Sequence, residues 1–155
     1  MKRPIAFRNF YPGDCRQEID ELLRAFEPGD HGEIRAAVVP HAGWRFSGAV
    51  AARTIRTLGE SRPESLLLLS AVHRRVLARP ALYPSGSWDS PLGEVPVDEE
   101  LAGEISRSCG ALVAVDPEAH ADEHALEVIV PFIKALLPGT PIVPLMAAPE
   151  ASPVE

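Results

Sequence analysis

Leu66-Leu67-Leu68-Leu69-Ser70-Ala71-Val72 runs directly into His73, and Ala36-Ala37-Val38-Val39-Pro40 runs directly into His41. Short apolar runs of this kind read as buried parallel strands, because a strand covered on both faces has no need to alternate apolar with polar residues. Residues that follow such strands stand at the carboxyl edge of an open α/β sheet, where binding crevices form. The two imidazoles are therefore placed as metal-ligating or catalytic groups. On spacing alone, two loop histidines that meet by accident fit the pattern equally well.

The flanking sequence supplies the covering helices. A helix opened by Ser47 runs to Leu58 with Gly59 as its stop, so strand, turn and helix make one βα unit. Upstream, Asp14 and Gln17 form a capping box for a helix reaching Phe26, with Ile19, Leu22, Leu23 and Phe26 on one face. Residues 83–97 hold five Gly and Pro residues together with Trp88 and read as a loop or hairpin excursion beside the site. Asp98 caps a helix that ends at Gly110, a strand covers 112–115, and a longer helix over 121–137 is expected to kink at Pro131. A strand over 142–146 closes the pattern. The alternation predicts one α/β domain over 1–155, a mostly parallel sheet with helices on both faces. Ser152-Pro153-Val154-Glu155 carries the signature of a helix about to begin, which reads as a fragment of a longer polypeptide more readily than as a frayed end.

Composition sets the outer limits. A chain of 155 residues, 46% hydrophobic and 24% charged, has enough apolar side chains to bury a core. A net charge of −7 and arginines scattered singly argue against a nucleic-acid partner. With no signal-like apolar stretch and no membrane-length run, a cytoplasmic protein with no membrane partner is expected. Cys15 and Cys109 make neither a disulfide framework nor a paired-cysteine zinc signature.

Taken in order, several motifs resemble the MEMO family, whose bacterial and archaeal members are called AmmeMemoRadiSam system protein B. They are Phe10-Tyr11-Pro12, Pro40-His41-Ala42-Gly43-Trp44-Arg45-Phe46-Ser47-Gly48, the histidine of Ser70-Ala71-Val72-His73, Ser90-Pro91-Leu92-Gly93, and Glu123-His124-Ala125-Leu126-Glu127 with Pro131-Phe132. The resemblance runs along essentially the whole chain and matches about the N-terminal half of a typical member. It implies the fold of class III extradiol dioxygenases and a mononuclear metal site, with His41 and His73 as two of three ligands. Two neutral imidazoles and one anionic ligand suit divalent iron while leaving positions open, and copper is the alternative metal. The implied chemistry is a redox reaction of dioxygenase type on a small molecule or peptide. The family's cysteine ligand and a further histidine belong to its second half, and neither Cys15 nor Cys109 stands where that cysteine would. Ala71-Val72 also replaces the Gly-Pro common before the second histidine. By the same resemblance Tyr11 and Phe46 match pocket positions, His120, Glu123 and His124 are expected at the pocket, and Trp88 stays unassigned.

Two other classes compete. His120-Ala121-Asp122-Glu123-His124 fits His-x-x-Glu-His, in which two histidines one helical turn apart hold zinc while the glutamate activates water, with Glu127, Glu150 or Glu155 as a third ligand. Its structural counterpart is a helix start, with Asp122 and Glu123 at the positive dipole end and the histidines solvated. The other class is a non-catalytic module that keeps the fold as a binding or assembly surface. Ser47 reads as a helix cap rather than a nucleophile, and the turn over 43–48 lacks the spacing of a P-loop. A sheet cut midway exposes an edge, so a homo-oligomer or a complementary chain is expected.

Overall fold

The computed structural model describes residues 1–147. Along the chain run β1 (Lys2–Arg3), α1 (Cys15–Leu23), α2 (Trp44–Leu58), β2 (Leu66–Ser70), β3 (Ala81–Leu82), β4 (Ser87–Trp88), β5 (Val95–Pro96), α3 (Glu99–Cys109), β6 (Ala114–Val115), α4 (Val130–Leu136) and β7 (Ile142–Met146). The main sheet has the order β2-β7-β3-β6. The strands β2 and β7 pair in parallel over their full length, from Leu66 opposite Ile142 to Ser70 opposite Met146. A parallel pair β3–β6 joins this unit through an antiparallel β3–β7 contact. The sheet is thus mixed, with parallel pairing predominant.

Side-chain alternation along these strands sorts the two covering layers. Leu66 and Ile142 pack with Ile55 of α2 and Ile133 of α4 on one face. On the other, Val143 and Leu82 pack with Ala102, Leu101 and Ile105 of α3. Helices therefore cover both faces. The Asp14 carboxylate accepts from the Gln17 amide to start α1, but the Gln17 side chain turns to Glu21 instead of returning to complete a capping box. Three residues before Ser47, α2 starts at Trp44 with Gly43 at its cap, and the Ser47 hydroxyl bonds the Ala42 carbonyl. Within α2, Gly48 lets α1 and α4 come close: a Cβ there would stand 3.4 Å from Leu22 and 3.8 Å from Phe132. The Asp98 cap and the Gly110 stop of α3 are both present, Gly110 with φ of 52°.

Two expected elements are absent. Residues 36–39 form no strand: they take no part in either sheet, and Val38 is 94% exposed. The run offers little apolar area because two of its four residues are alanine, and Pro40 lacks a ladder donor. A cavity of about 410 Å³, lined by Ile34, Ala37, Val39 and the first four residues of β2, separates it from the free β2 edge. The helix over 121–137 is likewise absent as one piece. A 3-10 turn at Pro117–His120 and another at Glu127–Ile129 precede α4, and Pro131 falls in the first turn of α4, where its missing N–H costs nothing. Side chains hold 121–126 away from helix: Arg3 takes the carbonyls of His120 and Glu123, and the Glu123 carboxylate takes the amides of His124 and Ala125.

The excursion over 83–97 forms the β4–β5 hairpin, to which β1 adds in parallel. Trp88 in that hairpin is fully buried core rather than a wall of the site. Of the expected strand over 112–115, only β6 pairs, and Leu112 is exposed. The helix-start signature at 152–155 lies outside the described residues. Among the described residues no helix is long and apolar enough to cross a membrane.

Candidate metal centre

His73 stands three residues beyond β2, and His41 ends the unpaired 36–40 segment just ahead of α2. His124 lies in the turn between the two 3-10 turns, held there by the contacts that suppress helix. The fold brings these three rings together. His41 Nε2 and His73 Nε2 are 3.4 Å apart. One ring nitrogen from each of His41, His73 and His124 lies within 4.8 Å of the others. The sequence reading brought forward His41 and His73 as ligands and placed His124 at the pocket, or, in the zinc-peptidase alternative, beside His120, but did not group it with His41 and His73. The missed signal was the turn chemistry of Glu123, which a helical reading of 121–137 conceals.

Glu123 sits behind two of the rings and is only 1% exposed. Its carboxylate accepts from the His73 amide and lies 3.0 Å from His73 Nδ1. The same oxygen accepts the His124 and Ala125 amides, and His124 Nδ1 lies 3.1 Å away. Burial alone would push this acid up, but the donors from His73, Ala125 and His124 outweigh it and hold it down to about 2. Burial lowers His41, and the neighbouring His73 lowers it further. His124 is lowered by burial against the opposing pull of Glu123. Neutral imidazole is the form in which histidine binds metal, so this environment favours the ligating state of both rings.

Beneath this layer lies a buried ion pair that the sequence did not announce. Arg3 Nη1 is 2.7 Å from Glu127 Oε2, both side chains essentially inaccessible. Glu127 also accepts the amides of Ala6 and Phe7 and the hydroxyl of Tyr11. Arg3 donates at 2.7 Å to each of the His120 and Glu123 carbonyls, and its guanidinium lies 4.3 Å from the Trp88 ring centre. A buried pair with its hydrogen bonds met is expensive to break, so this unit anchors the turn that carries Glu123 and His124. The two partners are 124 residues apart, and no local pattern links them.

The walls are aromatic. Phe10 packs on His124 with ring centres 4.9 Å apart and also lines a cavity of about 350 Å³ with Tyr11, Gly43, Trp44 and Phe46. Tyr11 and Phe46 thus line one cavity, Phe46 with 76% of its surface exposed, while the Tyr11 hydroxyl is bound to Glu127 and its acidity is suppressed by burial. Glu123 reaches the rings from behind rather than facing a pocket. His120 is corrected outright: it is fully buried, Nε2 bonds the Ala81 carbonyl at 3.0 Å, and Tyr83 and Trp88 meet it edge to face. Burial lowers it to about 4. The zinc-peptidase reading fails with it, since residues 120–124 do not form a helical turn presenting both histidines, and Glu123 is engaged rather than free to activate water.

Comparison with known proteins agrees with the motifs. Residues 7–154 match the family described as Memo-like protein. A MEMO1 family protein of Thermococcus onnurineus is 42% identical over 142 residues, covering 88% of this chain and 48% of the relative. For one from Thermococcus kodakarensis the identity is 39% with the same coverage. One from Methanopyrus kandleri is 37% identical, covering 86% of this chain and 51% of its own. The chain spans about half the length of the curated relatives it matches.

Proposed function

The chain belongs to the Memo-like family, and on that premise we propose that it carries a mononuclear divalent-metal centre held by His41, His73 and His124, serving redox chemistry of extradiol-dioxygenase type on a small molecule or peptide. The observation that carries this reading is the convergence of three ring nitrogens within 4.8 Å. The residues present fit the group. Two imidazole nitrogens bound at about 2.0–2.1 Å to one tetrahedral ion stand about 3.4 Å apart, and His41 Nε2 and His73 Nε2 are 3.4 Å apart. The third nitrogen has to close in by up to about 1.4 Å to join them at that spacing. Imidazole suits iron, copper and zinc alike, so the donor set admits the iron or copper that redox chemistry needs.

When bound, such a metal supplies the redox chemistry; the chain supplies orientation and enclosure. Glu123 and the Arg3–Glu127 pair fix the His73 and His124 side. Phe10 and Phe7, packed on His124, shield that side from water. The cavity beyond Phe10 accepts an apolar portion of the substrate, as ligand sites commonly do. A partner follows from a separate observation. Among the described residues no strand pairs with the outer edge of β2, and its Leu67 and Leu69 are 46% and 64% exposed, which supports docking of a second copy or a complementary chain.

The test is metal content of anaerobically purified protein, followed by titration with Fe(II), Cu(II) and Zn(II), for wild type and for His41→Ala, His73→Ala and His124→Ala. One equivalent bound by wild type and lost in all three variants is expected. Equal metal binding by wild type and variants overturns the centre. Sedimentation in parallel reports the partner: a stable monomer at micromolar concentration counts against association through β2.

A further inference from the structure

We propose that Glu123 is a positioning residue that locks His73 in the Nδ1–H tautomer and aligns His124 beside it, so that the two rings are set as ligands before any metal arrives. The inference rests on the metal-centre reading for its purpose, but its geometry stands by itself. Both Glu123 oxygens already accept backbone amides, Oε2 that of His73 and Oε1 those of His124 and Ala125, the arrangement of a carboxylate that acts as acceptor only. The His73 Nδ1 that faces it at 3.0 Å must therefore carry the proton, which leaves the Nε2 lone pair pointing away from Glu123. That Nε2 is the atom 3.4 Å from His41 Nε2, so the lone pair is directed into the histidine cluster. His124 Nδ1 lies 3.1 Å from the same oxygen and feels the same negative charge.

The His73 backbone is held as well as its ring, because its amide donates to the other carboxylate oxygen. Ring and main chain of His73 are thus fixed by one side chain that belongs to the turn carrying His124. Carboxylates behind metal-binding histidines set tautomer and ring orientation, and their loss typically costs 10–100-fold in affinity. A glutamate that merely stapled the turn would bond the amides of His124 and Ala125 and leave the ring nitrogens alone; here one oxygen serves both purposes.

The decisive measurement is the histidine tautomer in metal-free wild type at pH 8, read from long-range proton–nitrogen correlations of the imidazole rings. His73 in the Nδ1–H form is the expected result. An Nε2–H form, or an even mixture of the two, overturns the proposal. Glu123→Gln keeps the shape and one acceptor oxygen but removes the charge, and should give a mixed tautomer with Co(II) and Zn(II) affinity weakened about 10–100-fold. Affinity unchanged within twofold in a folded Glu123→Gln also overturns it. Should Glu123→Gln not fold, the wild-type tautomer still decides. Should wild type bind neither ion, the metal-centre reading falls while the tautomer measurement continues to judge the positioning role alone.

Discussion

His73 and His124 rest on a buried carboxylate that is itself braced by a buried arginine–glutamate pair, whereas His41 ends a segment that takes no part in either sheet. One side of the centre is built in advance and the other is left to adjust. The difference gives a physical route to the proposed metal binding: the braced side lowers the ordering cost of two ligands, and the segment outside the sheets lets His41, already 3.4 Å from His73, adjust with them as the three ring nitrogens draw together around the ion. The harshest way to break this contrast is to remove the brace. Arg3→Met leaves Glu127 buried without its cation and should cost about 3–5 kcal/mol, read from urea denaturation. A loss below about 1 kcal/mol would mean that the pair does not hold the turn and that both sides are equally loose.

Acid should weaken the built side next. His120 underlies that side and its folded-state value is lowered to about 4. Between that value and its ordinary value of about 6.5, the unfolded chain binds a proton that the folded chain refuses, so stability falls as pH falls through this window. The loss attributable to His120 approaches about 3 kcal/mol by pH 4. Glu123 acts in a lower window: its depressed carboxyl contributes stability above its ordinary range that is lost as pH drops through about 2. The difference between wild type and His120→Gln, measured as urea midpoint from pH 7 to 4, should flatten the first window only. An unchanged slope removes His120 from the account.

Metal addition sharpens the same comparison at a smaller scale. Zn(II) at 100 times its dissociation constant should stabilise wild type by about 2.7 kcal/mol through binding linkage. His41→Ala, which leaves the built side intact, should show little of that gain at the same ion concentration. A full gain in the variant would mean that the built side suffices and that the free segment has no part in binding.

What could be read from the chain follows the same division. The helix caps at Asp14 and Asp98, the Gly110 stop and the β2 and β7 runs were legible because each is decided by residues within a few positions of one another. His73 was legible because it follows a long leucine run, and Trp88 was placed in the hairpin, although not as core. The helix expected over 121–137 failed because Arg3, more than a hundred positions away, takes the carbonyls of His120 and Glu123 at its start. With that turn hidden, His124 was paired with His120 instead of being grouped with His41 and His73, and Glu123 was not recognised as the residue behind the rings. His120 illustrates the opposite error: its spacing to His124 suits a metal motif, but the fold turns it to the Ala81 carbonyl between Tyr83 and Trp88.

The smallest effect tests the free side most directly. Val38 ends in solvent, so Val38→Ser removes almost no buried apolar area and should change stability by less than about 0.5 kcal/mol. A valine in a strand covered on both faces would instead give up about 1.5 kcal/mol or more. The two values are far enough apart for a single urea titration to separate them. A small change, together with fast amide exchange at 36–39, keeps His41 on a segment able to adjust as the three rings draw together. A change of strand size would mean that 36–39 zips onto the free edge of β2 and closes the cavity between them. His41 would then be as rigidly set as His73, and the contrast between the two sides of the centre would disappear.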